Sequence, residues 1–244
     1  MRNLLLEIEY DGTKYAGWQA QKNALSLQEI LEKKLSLLLG EKIKLIASGR
    51  TDAGVHALAQ AANFKTKSSL DEQKILKAIN SLLPKDIAVK NIKKIPLTFN
   101  ARFKAKSKVY RYLVYNCPQR SAFGYKYHWH LSYKLDISLM RREFKKIVGE
   151  HNFKSFAASD KRERQMRRKI IGVSLRKKNN FLIIDIEGKS FLYNMVRNIV
   201  GTLVEIGRGK LPRGSMSKIL KAKDRKKAGP CAPPKGLYLV KVKF

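Results

Sequence analysis

Ala47-Ser48-Gly49-Arg50-Thr51-Asp52-Ala53-Gly54-Val55-His56 separates two apolar runs, residues 43–47 and 57–64. Apolar runs of strand length, bounded by Gly and Asp, predict two strands joined by a polar loop. Gly49 and Gly54 permit a tight turn or the close approach of a ligand. Between them Arg50 and Asp52 place a cation and a carboxylate with one residue intervening. Two readings are open here: a surface turn in which Thr51 and Asp52 bond to local amides, or one wall of a site.

Outward from this loop the pattern is regular. Residues 4–10 alternate as a strand does and end at the turn dipeptide Asp11-Gly12. Ser26-Leu27-Gln28-Glu29 is a capping box, and Leu27, Ile30, Leu31, Leu35 and Leu38 recur at helical spacing until Gly40. A second such box, Ser69-Leu70-Asp71-Glu72, opens a helix carrying Ile75, Leu76, Ile79 and Leu82 that ends before Pro84. Residues 87–95 complete the order β-α-β-β-α-β, which places both helices on one face of an antiparallel sheet. The rest of the chain repeats it: strands at 108–116, 169–176, 181–187 and 237–242, helices at 138–148 and 191–206, and a short helix near 215–221. The expected fold class is therefore α+β, with two tandem ferredoxin-like or RRM-like halves, 1–100 and 101–244. Their sheets are expected side by side, leaving a cleft suited to a large substrate. Residues 96–107 bridge the halves, and 119–135 form an aromatic insertion.

Composition narrows the function. The chain of 244 residues carries 52 Lys and Arg against 19 Asp and Glu, a net charge of +33 spread along its length. Such an excess calls for a polyanionic partner. Basic residues cluster at 102–111, 141–146, 161–169 and 208–227, interleaved with Tyr110, Tyr112, Tyr125, Tyr127, His128 and Trp129. Cations with aromatics suit RNA, although an aromatic on a strand packs inward more often than it stacks on a base. Cys117 and Cys231 lie far apart, without disulfide framework or zinc spacing, and the four histidines have no metal spacing. No signal peptide or membrane-spanning run is evident, so a cytoplasmic protein is expected.

Among residues able to carry chemistry, Asp52 would be an ionised carboxylate that can add to an electrophilic carbon when held against it. Arg50 is its local charge partner. Arg197 lies on a narrow polar stripe with Asn194, Asn198 and Gly201 on an otherwise apolar helix, facing either a partner in the fold or solvent. Tyr110 shares a strand face with Tyr112 and Val114, and reads either as a packed core tyrosine or as a phenol at a site.

Taken together these residues resemble the tRNA pseudouridine synthase A (TruA) family over nearly the whole chain. The motifs that carry the likeness begin with Tyr10-Asp11-Gly12-Thr13-Lys14-Tyr15, Gly17-Trp18-Gln19 and the segment from Ser48 to His56. They continue with Asn100-Ala101-Arg102-Phe103, Tyr110-Arg111-Tyr112, Phe191-Leu192-Tyr193-Asn194-Met195-Val196-Arg197-Asn198 and Gly236-Leu237-Tyr238-Leu239-Val240. The resemblance implies the pseudouridine synthase fold, with Asp52 as nucleophile. It further implies Tyr110 stacked on the target uracil, Arg197 in a salt bridge with Asp52, Leu237 as an apolar wall and Arg50 helping to displace the flipped base. His56, Gly49 and Gly54 join the substrate-binding set. It also implies a homodimer that isomerises uridine at positions 38, 39 and 40 of the tRNA anticodon stem-loop, without cofactor or metal. Attack by the aspartate on the base and on the sugar both remain open. Asn194 stands where His is common in the family, Cys231 where Thr is common, and 161–169 is unusually basic.

Two other readings compete. A non-catalytic RNA-binding protein with RRM-like halves would carry an aromatic-rich third strand, but Ala59-Gln60-Ala61-Ala62-Asn63-Phe64 offers small residues. A ribosome-associated structural protein gives Arg50 and Asp52 no role.

Overall fold

Alternation along the first strand sorts its side chains before any packing occurs: Leu4, Leu6 and Ile8 fall on one face, Asn3, Leu5 and Glu7 on the other. In the computed structural model, which describes residues 1–21, 24–158 and 165–244, Leu4, Leu6 and Ile8 are fully buried. Complete burial of such a side chain is worth about 1.5–3 kcal/mol, so a one-residue slip in register would be costly. The architecture is α+β and mostly antiparallel, and the chain divides into two units, Met1–Lys106 with Tyr238–Phe244, and Ser107–Leu237.

The first unit runs β1 (Arg2–Tyr10), α1 (Leu27–Leu39), β2 (Ile46–Ala47), β3 (His56–Thr66), α2 (Glu72–Leu82), β4 (Ile87–Ile95) and α3 (Ala101–Lys104). β1 pairs antiparallel with β3 and β4, Leu6 lying opposite Ala62 and Ile92. Leu27, Leu31 and Leu35 of α1 and Ile75 and Ile79 of α2 are buried. On the other sheet face Leu5, Ala61 and Ala101 form a small core with Ile95, Phe99, Val242 and Phe244 packed on it. Two buried asparagines anchor the bridging segment there. Asn63 Nδ2 donates to Asn3 Oδ1 (2.9 Å), Asn3 Nδ2 donates to the Phe99 carbonyl (3.0 Å), and the Ala101 amide donates to Asn63 Oδ1 (2.8 Å).

The second unit comprises β5 (Ser107–Asn116), β6 (Trp129–Leu131), α4 (Ile137–Lys145), β7 (Gly149–Asn152), β8 (Arg167–Lys178), β9 (Phe181–Gly188), α5 (Met195–Gly207) and α6 (Ser215–Ala222). Its strands are ordered β5-β9-β8-β7, and β6 lies parallel to β5. The last strand, β10 (Leu237–Lys243), was expected to close this second half. Instead Tyr238–Phe244 groups with the first unit, where Tyr238 and Leu239 pair in parallel with His56 and Ala57.

Several local expectations are corrected, each for a backbone reason. Residues 43–47 contribute only a two-residue strand, because the amides of Ile43 and Leu45 are taken by Ser36 Oγ and Glu32 Oε1 from α1. Ser26 caps α1 as the pattern demands, accepting from the Glu29 amide. For α2, however, Asp71 rather than Ser69 is the cap, its carboxylate accepting from the Gln73 and Lys74 amides. The apolar helix begins at Met195, not near Phe191, since Asn194 adopts φ 57° and interrupts the helical path. β6, β7 and α3 were not anticipated from the sequence.

Glu143 on α4 is almost fully buried and serves as a hub, accepting from the Gly214 amide (3.0 Å), the Met216 amide (3.1 Å) and Lys146 Nζ. Burial pushes its carboxyl pKa up, but Lys146 and the two amides together outweigh that and hold it below the usual carboxylate value. A lowered folded-state pKa contributes stability above the unfolded pKa and loses it as pH falls through the folded value. Glu143→Gln should therefore cost about 2 kcal/mol at neutral pH. In thermal melts the gap between variant and wild type should close as pH drops below the ordinary carboxylate range.

Candidate active site

The segment from Ser48 to His56 is held at several backbone positions by residues of the first motif and of β3. Ser48 Oγ donates to Gln60 Oε1 and Gln60 Nε2 to the Gly49 carbonyl, both at 2.9 Å. Thr51 is buried, with Oγ1 2.7 Å from the Tyr10 hydroxyl, and its carbonyl accepts from the Trp18 amide at 3.1 Å. The Gly54 amide donates to the Tyr15 carbonyl, and the Val55 amide to the Asp52 carbonyl. Burial raises the Tyr10 pKa, Thr51 and Gln60 opposing it only in part, so Tyr10 stays a neutral phenol able to keep this bond.

Two glycines make the approach possible. Gly17 sits at φ 94°, and a Cβ there would lie 2.6 Å from the Thr51 carbonyl oxygen. A Cβ on Gly12 would run into the Val55 carbonyl. The first motif is thus packed directly on the backbone of the loop. With Thr51 fixed inward, its neighbours point away from the core: Arg50 is exposed and Asp52 half-buried.

His56 has a different setting from an open substrate contact. It is buried and stacked on Tyr238, ring centroids 4.8 Å apart. Its Nδ1 lies 3.1 Å from the Gly12 amide and 3.0 Å from Asp11 Oδ1. A ring nitrogen that accepts from Gly12 carries no proton for Asp11, so one tautomer makes one of these bonds.

In the second unit Arg197 is bonded to the segment 228–237, which leads into Leu237. Arg197 Nε donates to the Ala232 carbonyl (2.7 Å), Arg197 Nη1 donates to Asn194 Oδ1 (2.9 Å), and the Ala232 amide returns to the Arg197 carbonyl (3.2 Å). The polar stripe of α5 therefore faces protein, not solvent. Asn198 is buried, donating to the Phe156 carbonyl and accepting from Arg225, and a Cβ on Gly201 would strike the Pro230 carbonyl. The Tyr112 hydroxyl donates to the Pro233 carbonyl (2.7 Å) and its ring lies where a Cβ on Gly236 would be, 2.7 Å from Cε1. Burial raises the Tyr112 pKa, with Arg197 opposing it. Leu237, next in the chain, is buried, as is Tyr110, whose ring meets Phe191 edge-on at 5.1 Å.

Two residues have a setting that the sequence reading did not assign them. Lys108 lies two residues before Tyr110 on the same strand face, and its burial lowers its pKa. Period-two alternation was the signal that would have placed it there. Asn194 reads in the sequence as part of the polar stripe beside Arg197 and as a departure from the family pattern; it both ends the preceding loop in the left-handed region and holds Arg197. Part of the basic run 161–169, residues 161–164, lies outside the described residues. Among the described residues, no group of three His, Cys, Asp or Glu side chains could hold a metal ion. Among the same described residues, no helix is long and apolar enough to cross a membrane.

A family model described as tRNA pseudouridine synthase matches residues 7–104 and 144–244. The chain belongs to this family. Among its relatives, tRNA pseudouridine synthase A of Thermoanaerobacter sp. (strain X514) is 45% identical over 242 residues, 99% of each chain. The protein of the same name from Geotalea uraniireducens (strain Rf4) is 46% identical over 242 residues, again 99% of each. Family membership makes this chain an isomerase. Of the solved structures, a Cbf5-Nop10-Gar1 complex aligns with TM-score 0.40 and 11% identity, covering 97% of this chain and 48% of that one. Residues of the motifs quoted above take part in both arrangements: Tyr10, Tyr15 and Trp18 bond to the loop, and Asn194 to Arg197.

Two substitutions test these roles. Tyr10→Phe removes one hydroxyl from under the loop and should lower kcat about tenfold with a smaller change in KM, since it loosens the backbone that sets the position of Asp52. For Asn194, Gly keeps the left-handed backbone and deletes only the bond to Arg197, whereas Ala adds about 1–2 kcal/mol of backbone strain. Melting temperature should fall for Asn194→Ala but hardly for Asn194→Gly, while both lose turnover.

Proposed function

We propose that this protein isomerises uridine to pseudouridine at positions 38, 39 and 40 in the anticodon stem-loop of tRNA, with Asp52 as the nucleophile and no cofactor. The observation that carries the reading is the Asp52 loop itself: a family motif whose backbone is bonded in place by distant residues, with Asp52 half-buried and Arg50 exposed on either side of a buried Thr51. A turn needing only local amide bonds has no use for so many distant anchors.

The reaction makes and breaks few bonds. The target nucleotide leaves its stack, at a cost of a few kcal/mol, and Arg50 helps to displace it. Tyr110 stacks on the uracil and Leu237 forms an apolar wall. The Asp52 carboxylate adds to the base or to the sugar, the N1 to C1′ bond breaks, and the uracil turns while it is held. C5 then joins C1′ and the bond to Asp52 breaks, returning the carboxylate; the C5 hydrogen leaves as a proton with Tyr110 as a candidate acceptor, and N1 takes a proton from solvent, so atoms balance. Arg197, oriented by Asn194 and the Ala232 carbonyl, is the salt-bridge partner that the family resemblance gives Asp52. Gly49 and Gly54 let the loop approach the RNA, and His56 supports it from beneath. We further propose that the protein works as a cytoplasmic homodimer, with its surplus of cations gripping tRNA phosphates.

With tRNA transcripts labelled at uridine C5, the wild type should release the C5 hydrogen. Asp52→Ala should release none above background while retaining RNA affinity within a few-fold. Equal release by both, or none by either on a competent tRNA, overturns the assignment.

A further inference from the structure

The insertion that links β5 to β6 ends in a tip whose aromatic side chains face outward. Phe123 is 91% exposed, Tyr125 55% and Tyr127 42%. A single exposed ring is unremarkable on any surface, but three within five residues leave apolar area that folding does not use. The tip is nevertheless built, not loose. Ser121 Oγ donates to the Phe123 carbonyl (2.9 Å), the Tyr127 amide donates to the Gly124 carbonyl (2.8 Å), and Gly124 takes φ 69° to make the turn. Its base is pinned by buried His128, packed against Tyr115 and Phe181, and by the parallel pairing of β6 with β5.

Cations surround these rings. Arg120 and Lys126 are exposed, and Lys126 Nζ lies 5.7 Å from the Tyr125 ring centroid. Lys235 Nζ donates to the Tyr125 carbonyl (3.0 Å), tying the tip to the turn Pro234–Gly236 that leads directly into Leu237. The tip lies between the two segments that the family model matches.

We propose that this tip is a stacking platform for unpaired nucleotides of the RNA substrate, the Phe123 and Tyr125 rings taking bases while Arg120 and Lys126 meet the flanking phosphates. Planar rings interleaved with cations suit a strand with exposed bases. A duplex would offer them only phosphate, and an apolar protein partner would not call for the cations. The proposal rests on the tRNA reading above and extends it: the same protein that flips a base needs to hold the loop from which the base is taken.

The experiment compares wild type, Phe123→Ala/Tyr125→Ala and Phe123→Trp/Tyr125→Trp for binding to a tRNA transcript, a short unstructured RNA and an RNA duplex of equal length. Both side chains being exposed, melting temperatures should agree, which checks that each variant folds. The alanine pair should bind tRNA and unstructured RNA at least about thirtyfold more weakly, roughly what loss of stacking on two bases costs. Duplex binding should be unchanged, and the tryptophan pair should restore affinity. An equal loss on all three RNAs, or none, overturns the platform. So does a change in sedimentation of the alanine pair, which would assign the tip to contact with a second copy of the chain. C5-hydrogen release at saturating tRNA is measured in parallel. Its absence from the wild type would count against the isomerase reading alone, since the binding comparison needs no turnover.

Discussion

The placement of Thr51 is the constraint from which the arrangement of the first unit follows. Its hydroxyl and its carbonyl are both taken by the first motif, through Tyr10 and Trp18. Gly17 must lack a side chain for that approach to occur. A buried polar pair of this kind contributes only about 1 kcal/mol net, but leaving either member unpaired would cost more. The interaction therefore matters less as a source of stability than as a specification: it fixes one backbone path, and the residues on either side of Thr51 are delivered to the surface by that path. β1 brings Tyr10, the turn after it brings Gly12 and Gly17, and β3 brings Gln60, so three parts of the sheet agree on one position.

The second unit solves a parallel problem with different means. A guanidinium on an apolar helix needs partners, and Arg197 finds them in the Ala232 carbonyl and Asn194. Close contact between α5 and the following segment is possible because Gly201 has no side chain against Pro230. The segment is held again by Tyr112 to Pro233 and by Thr202 Oγ1, which accepts from the Gly229 amide. Asn194 in the left-handed region is tolerated there because its short polar side chain suits that conformation better than most. What looked in the sequence like a departure from the family is thus part of how Arg197 is oriented.

Legibility followed the physics of each signal. Strands 87–95 and 181–187 and helix α1 were readable because period and cap coincide, and β4 has the bounds the pattern gives it. Residues 43–47 were misread because their amides are satisfied by side chains of α1, which no hydrophobic pattern records. The assignment of β10 to the first unit rests on pairing far apart in sequence, equally invisible to local pattern. For the proposed site, Arg50 and Asp52 could be singled out by spacing, whereas Tyr110 was drawn to it by the family resemblance, its strand face having left a packed core tyrosine open. The anchoring role of Tyr10, Gly12 and Gly17 could not be read this way, because a glycine announces freedom of the backbone but not what will press against it.

The central claim is that the loop from Ser48 to His56 is the chemical part of a tRNA-modifying isomerase. Nucleotide-resolution mapping of pseudouridine in tRNA incubated with the purified protein tests it most directly. The account predicts new pseudouridine confined to positions 38, 39 and 40 of the anticodon arm. Conversion confined to other parts of the tRNA, or no conversion in transcripts carrying uridine at those positions, would contradict it.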